Sequence, residues 1–283
     1  MSSPPLSTRS TNQQTLASIF ADAITDLSLD VLGVAANAPP ELRPILTYHL
    51  RTVERSKFFR PLLTHAVRRQ AQEKVRRGAL AIHLIHESTL LVDDMLDRSR
   101  RRRGQIAAHC VFSRPVATAA AGWLTVEAAE IIASDFTELG ISHLLGYSRQ
   151  VAIAEALQWQ RRGETGPQLL STVRSIAEGD TGALFVLAAE LGGATEEEQI
   201  SVLNVAVAYH WLDDAQAFLK RGVFGGRELD PDERDGICTL VSAFSGDAEA
   251  ALGHVREMIR EGTAKSCRWL TPFWNDLAKL ADE

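Results

Sequence analysis

Cysteine is scarce in this chain. Its three copies in 283 residues, Cys110, Cys238 and Cys267, lie far apart and form no CxxC pair. That excludes a disulfide framework and a thiolate zinc site, and points to a reducing compartment. An excess of positive charge is also lacking. Lys and Arg total 30 against 36 Asp and Glu, a formal net charge of −6, so no general nucleic-acid or membrane-surface binding is expected. No unbroken apolar run reaches about 18 residues, so no stable membrane insertion is expected. The N-terminal MSSPPLSTRSTNQQT has no apolar stretch of its own and does not read as a secretory signal. No segment alternates with period two for long enough to make a strand. No GxxxxGK[ST] loop surrounds Gly225-Gly226, which reads as a turn. With 45% hydrophobic residues the chain has ample core material, and a soluble, cytoplasmic protein is the expectation.

Residues 1–13 are polar, carry Pro4 and Pro5, and read as a disordered tail. From 14 to 283 the periodicity is helical almost throughout. Apolar-periodic windows run from Leu16 to Leu32, over 45–67 and over 70–97, and then over 115–136, 141–161, 167–191, 196–220, 231–245, 247–263 and 266–281. Prolines 39, 40 and 44 and glycines such as Gly140, Gly163 and Gly192-Gly193 supply the breaks. About ten or more helices without a linker predict a single all-α domain, a helical bundle.

The main chemical signal is Asp93-Asp94-Met95-Leu96-Asp97, at the end of a strongly apolar helical segment. Positions i and i+4 share a helix face, so Asp93 and Asp97 stack like charges, which destabilises a helix unless something compensates. A hard divalent cation does so, and Mg²⁺ typically takes one or two carboxylates and leaves positions for phosphate oxygens. His86 sits two turns upstream on the same face, about 10 Å along the axis. Arg98-Ser99-Arg100-Arg101-Arg102-Arg103-Gly104 follows directly. Carboxylates beside a block of guanidiniums make sense if an anion lies between them, with metal on one side and Arg forks on the other. A DDxxD alone is more often a solvated helix end, and an Arg run alone a solvated face. Their succession below an in-phase histidine favours the anion site.

With these residues the chain resembles the trans-isoprenyl diphosphate synthases, over about residues 40–250. DDMLDRSRRRRG looks like the family's DDxxD followed by RRG, and Ser56-Lys57-Phe58-Phe59-Arg60-Pro61 resembles its GKxxRP segment. The resemblance implies an isoprenoid-synthase bundle around a central substrate cavity. It implies that Asp93 and Asp97 hold Mg²⁺ on an allylic diphosphate and that Arg102 clamps that diphosphate. Lys57, Arg60, His86 and Arg103 would then hold isopentenyl diphosphate. Two or three Mg²⁺ ions and a homodimer are further implications. Positions four and five residues before Asp93 set product length in the family; here they are Thr89 and Ser88, whose small side chains suggest C15 or C20 products.

The second half departs from the family pattern. FQxxDDxxD appears as Tyr209-His210-Trp211-Leu212-Asp213-Asp214-Ala215-Gln216-Ala217, so Asp213 remains as a candidate ligand for a third metal. The family's Lys-Thr-Gly reads Asp180-Thr181-Gly182, with Thr181 still able to donate to a phosphate; the Lys of EGKxTL becomes Ile237, and GD becomes Gly122-Trp123. Two unit charges about 4 Å apart at an effective dielectric near 20 interact by about 4 kcal/mol, so Asp in place of Lys matters. Either Asp180 points elsewhere, or Lys220 or Arg227 replaces the charge, or the task has changed. His83 stands where the family usually has Glu and reads as packing. Trp159, Trp211, Trp269 and Trp274 read as packing anchors, with Trp211 and Tyr209 also placed to line a cavity.

The leading expectation is thus a short-chain prenyltransferase that condenses an allylic prenyl diphosphate with isopentenyl diphosphate and releases pyrophosphate. The alternatives are a terpene cyclase on the same fold and a non-catalytic partner subunit of a true synthase. The retained isopentenyl diphosphate residues argue against the first, and the intact DDxxD against the second.

Overall fold

In this computed structural model, residues 15–138, 140–219 and 235–282 are described. Thr15 accepts the Ser18 N–H and caps α1 (Leu16–Ile19), which runs into α2 (Ala21–Asn37). Then follow α3 (Arg43–Leu50), α4 (Phe59–Val67) and the 25-residue α5 (Gln72–Leu96). Strands β1 (Arg101–Arg102) and β2 (Gln105–Ile106) form a minimal hairpin, and α6 (Ala108–Phe112) and α7 (Arg114–Asp135) follow it. The second half consists of α8 (Gly140–Gln160), α9 (Leu170–Ala177), α10 (Ala183–Gly192), α11 (Glu196–Phe218), α12 (Leu240–Ala243), α13 (Ala248–Lys265) and α14 (Thr271–Asp282). The all-α expectation holds. The expected tail lies outside the described residues, as does the first part of the 231–245 window.

Two windows and the basic run differ from expectation. The 45–67 stretch is broken after Leu50 by a 3-10 turn at Val53–Arg55, and again at Phe58, whose φ of 56° no helix accommodates. The 167–191 stretch is one continuous path in three parts, with a π-turn at Glu178–Gly182 between α9 and α10. The basic run folds as the hairpin because Arg103 (φ 48°) and Gly104 (φ 78°) both take positive φ, which a two-residue turn of the right twist requires.

Helices α5 and α7 form the centre. By length and composition alone α7 would be long enough to cross a membrane, a possibility not foreseen from the absence of an unbroken apolar run. Only part of α7 packs inward, with 39% of its apolar window buried: Ala117, Ala120, Ala121, Leu124 and Ala128 are buried, and Ser88 of α5 donates to the Ala121 carbonyl at 2.8 Å. Small residues on one helix let the other approach closely.

Helix α4 is fixed against α10 in the same way. Thr64 donates to the Ala188 carbonyl at 2.9 Å. A Cβ on Gly192 would lie 2.8 Å from the Thr64 carbonyl oxygen and 2.9 Å from Val67 Cβ. The backbone cannot yield there, so Gly192→Ala is expected to lose about 1–3 kcal/mol of stability. Thermal melts should show a lower melting temperature with the helical content unchanged; an unaltered melting temperature would show that α4 and α10 do not meet this closely.

Candidate active site

A cavity of about 650 Å³ lies between α4, α5, α8, the π-turn with α10, and α11. Every site residue expected from the sequence lines it: Asp93, Asp97, Arg102 and Asp213, and Lys57, Arg60, His86, Arg103 and Thr181. Ser88 and Thr89 also line it, with Ile85, Leu144 and Leu187 among the apolar wall residues.

The cationic wall is built by two strained turns. Left-handed Phe58 opens α4 between Lys57 and Arg60, and both flanking side chains reach the cavity. The Arg60 guanidinium lies 3.5 Å from His86 Nε2 and 5.2 Å from the Phe185 ring centre. Burial first, and Arg60 second, hold His86 well below the ordinary imidazole value, so the ring is neutral. The hairpin turn presents Arg103, whose carbonyl accepts from Arg55 Nη1 at 2.7 Å.

On the carboxylate wall the aspartates divide their work. Asp93 and Asp97, one turn apart, face the cavity. Asp94 is 1% exposed, and its Oδ1 accepts from Arg102 Nε at 2.9 Å and Nη2 at 2.6 Å. Arg102 therefore reaches the cavity with its guanidinium already held. In the second pair both Asp213 and Asp214 line the cavity, and Asp214 Oδ2 also accepts the Leu240 N–H at 2.9 Å, tying α12 to α11.

The donor set suits Mg²⁺, since Asp93, Asp97 and Asp213 offer hard oxygens to a cavity that also carries guanidiniums. Among the described residues no three His, Cys, Asp or Glu side chains already stand close enough to hold an ion.

Asp180 does not point elsewhere: it lines the cavity. Its Oδ2 lies 3.5 Å from His210 Nδ1, which is also 2.9 Å from the Thr181 hydroxyl; His210 Nε2 lies 3.8 Å from Asp214 Oδ1. The Lys-to-Asp and Gln-to-His departures thus touch each other. Lys220 and Arg227, the suggested replacement cations, lie outside the described residues. Ile237 lines the cavity in place of the family's Lys.

Some residues were missed from sequence. Glu155 of α8 lines the cavity with its carboxyl pushed up by burial and by Asp180 and Asp97, and it accepts the Trp159 Nε1–H at 2.9 Å. Trp159 is therefore cavity wall rather than only a packing anchor; its i+4 spacing from Glu155 was the available signal. Trp211 and Trp274 are core, as read, and Tyr209 lines the cavity. Glu87 is fully buried behind the cationic wall, and no periodicity announced it. His83 packs its ring 5.4 Å from Phe58 and also reaches the cavity.

The bundle with its central cavity is that of the isoprenoid synthases. A polyprenyl synthase from Caulobacter crescentus, solved with calcium and isoprenyl diphosphate, superposes with a TM-score of 0.76 at 20% identity over 98% of both chains. The Polyprenyl synthetase family model matches residues 40–269, and the chain belongs to that family. Among curated relatives, a geranylfarnesyl diphosphate synthase from Aeropyrum pernix is 28% identical over 67% of this chain and 66% of its own length. A (2E,6E)-farnesyl diphosphate synthase from Mycobacterium tuberculosis is 26% identical over 67% of this chain. The chain spans 66% of the first relative's length and 60% of the second's, less than two thirds of each.

Burial makes one property of this site testable without substrate. His83 is pushed down to about 4, by burial first, with Glu87 opposing and Arg103 adding to the fall. In the unfolded chain an imidazole titrates near 6.5, so between about 6.5 and 4 the unfolded state binds more protons and stability falls with falling pH. His86 acts in the same direction. Melting temperature should therefore drop as pH is lowered from 7 to 4, and less steeply in His83→Gln. An equal slope in the variant would mean that His83 is accessible to protons in the folded protein.

Proposed function

We propose that this protein is a trans-prenyltransferase of short-chain type, joining isopentenyl diphosphate to an allylic prenyl diphosphate. One observation carries the reading: a single cavity has a carboxylate wall, a separate cationic wall and an apolar interior. That is the arrangement two diphosphates with apolar tails need.

In this reading Lys57, Arg60, His86 and Arg103 hold isopentenyl diphosphate, while Arg102 and Thr181 contact the allylic diphosphate. Asp93, Asp97 and Asp213 would hold two or three Mg²⁺ ions, which neutralise the leaving diphosphate. The allylic C1–O bond breaks and its electron pair leaves with pyrophosphate. The isopentenyl double bond attacks C1, a C–C bond forms, and the proton lost from the resulting cation goes to the departing pyrophosphate. Stabilisation of the leaving group and alignment of the two chains are the main catalytic terms. Ser88 and Thr89 leave room for a C15 or C20 product.

The exposed apolar residues Val126 (54%), Leu145 (48%) and Ile153 (67%) on α7 and α8 support a homodimer through these helices. The charge balance and cysteine usage support a cytoplasmic protein that does not bind nucleic acid.

The Asp180–His210 contact and Ala217 favour one second reading, a terpene cyclase that ionises a prenyl diphosphate without isopentenyl diphosphate. A single incubation decides: purified protein, Mg²⁺ and labelled allylic diphosphates, with and without isopentenyl diphosphate. An elongated diphosphate is expected. Hydrocarbon formed without isopentenyl diphosphate would establish the cyclase, and no product at all the non-catalytic subunit. Asp93→Asn should lower turnover by orders of magnitude with unchanged circular dichroism, since an amide is a poor substitute for a carboxylate at Mg²⁺; near-normal activity would remove the metal assignment.

Asp180 gives a second prediction. Its carboxylate faces the region of an anionic leaving group, so Asp180→Lys should raise allylic-substrate affinity or turnover, read from steady-state kinetics. Lost activity would show that Asp180 recruits a cation, and no change would show that His210 already offsets its charge.

A further inference from the structure

Glu87 lies against the cationic wall without lining the cavity. Its side chain has no solvent exposure. Its Oε1 accepts from Arg103 Nη2 at 2.8 Å and its Oε2 from Arg103 Nη1 at 3.2 Å, an end-on fork. His49 Nε2 approaches Oε2 at 3.1 Å, and His83 Nε2 lies 3.3 Å from Oε1. Arg103 and His83 reach the cavity, whereas Glu87 and His49 stand behind them. Resting on the reading that this wall takes isopentenyl diphosphate, we propose that Glu87 is a positioning residue: it sets the Arg103 guanidinium and thereby the affinity for the homoallylic diphosphate.

The donor count supports this. A guanidinium has five N–H groups. Glu87 takes two, one from each terminal nitrogen, which leaves Nε–H and one N–H on each terminal nitrogen for an anion. The backbone end of Arg103 is fixed as well, with its left-handed φ of 48° and its carbonyl held by Arg55. An arginine pinned at both ends loses little freedom when it binds, so its affinity depends on both pins. Charge points the same way. Lys57, Arg60 and Arg103 share one wall, and a buried anion behind it offsets their repulsion. Burial alone pushes the Glu87 carboxyl up, but Arg103 and the hydrogen bond from His49 outweigh it and hold the group ionised.

The test is a double-mutant cycle on the full-length protein. Glu87→Gln keeps the shape and removes the charge. It should raise the KM for isopentenyl diphosphate, and its Kd by calorimetry, by about tenfold to a hundredfold, the range of a lost hydrogen bond to a charged group. The KM for the allylic diphosphate should stay within about threefold, since Glu87 acts on the other wall. In an Arg103→Met background the further change Glu87→Gln should alter the isopentenyl KM less than about twofold, because nothing is left to position. If Glu87→Gln alone fails to fold, the double variant, which no longer buries an orphaned guanidinium, carries the comparison with Arg103→Met. Equal rises in both KM values, or additive effects in the cycle, would overturn the proposal. Wild-type protein is the control that separates the two levels: no isopentenyl diphosphate binding in calorimetry would remove the functional reading and this inference together, whereas wild-type binding with an unselective Glu87→Gln effect removes the inference alone.

Discussion

Charged groups crowded around one cavity need fixed partners, and the walls of this structure depend on that constraint. The chain supplies such partners in three buried places. Asp94 takes Arg102, Asp214 takes the Leu240 amide, and Glu87 takes Arg103. Each of these three carboxylates is buried, where breaking a pair leaves an uncompensated charge and is strongly unfavourable. The pairs thus act as fasteners as well as charge balance. Arg102–Asp94 pins the hairpin to α5, Glu87–Arg103 pins its tip, and Asp214 pins the start of α12 to α11.

How much of this could be read from residues follows the range of each interaction. Helical periodicity is local, and the α5, α7, α8, α11 and α13 windows fall within a few residues of their observed spans. The i, i+4 rule places Asp93 and Asp97 on one face without any tertiary information, and both do face the cavity. The hairpin was not legible, since a basic run of arginines carries no strand signal and its turn depends on a positive φ at Arg103 as well as at Gly104. The break of the 45–67 window at Phe58 is similar: nothing in Lys-Phe-Phe-Arg announces a left-handed phenylalanine. Glu87 was hidden for a different reason. A charge inside an apolar run reads as an exception until its partners, 38 residues upstream at His49 and 16 downstream at Arg103, are brought to it.

The departures in the second half change meaning once they are placed together. Taken singly, Asp180 is a lost cation and His210 a lost amide. In the fold they are neighbours, with Thr181 hydrogen-bonded to the same ring nitrogen, so the two changes form one local rearrangement of the allylic side. Ile237 nearby is buried and simply apolar. The cationic side shows no comparable loss. Lys57, Arg60, His86 and Arg103 are all present, and Arg55 adds a further guanidinium to the cavity lining. In the proposed reading, the departures thus gather on the wall where a leaving group would depart, while the wall where an acceptor would sit keeps its expected residues.

Backbone strain points to the same walls. Six described non-glycine residues have positive φ, and three of them border the cavity motifs: Phe58 between Lys57 and Arg60, Arg98 directly after Asp97, and Arg103 itself. A left-handed conformation costs an ordinary residue about 1–2 kcal/mol relative to the right-handed one, and glycine would relieve it at all three positions. At Phe58 glycine would remove the ring that covers His83. At Arg103 it would remove the guanidinium that Glu87 grips. In these two cases the side chain is the reason the strain is tolerated, because the turn that carries the strain is also what aims the side chain. Packing around each turn supplies the compensation: Phe58 is buried against the core, and Arg103 is held at both its carbonyl and its guanidinium. A wall built this way is stiff before any ligand arrives, so binding an anion there requires little further ordering of the protein.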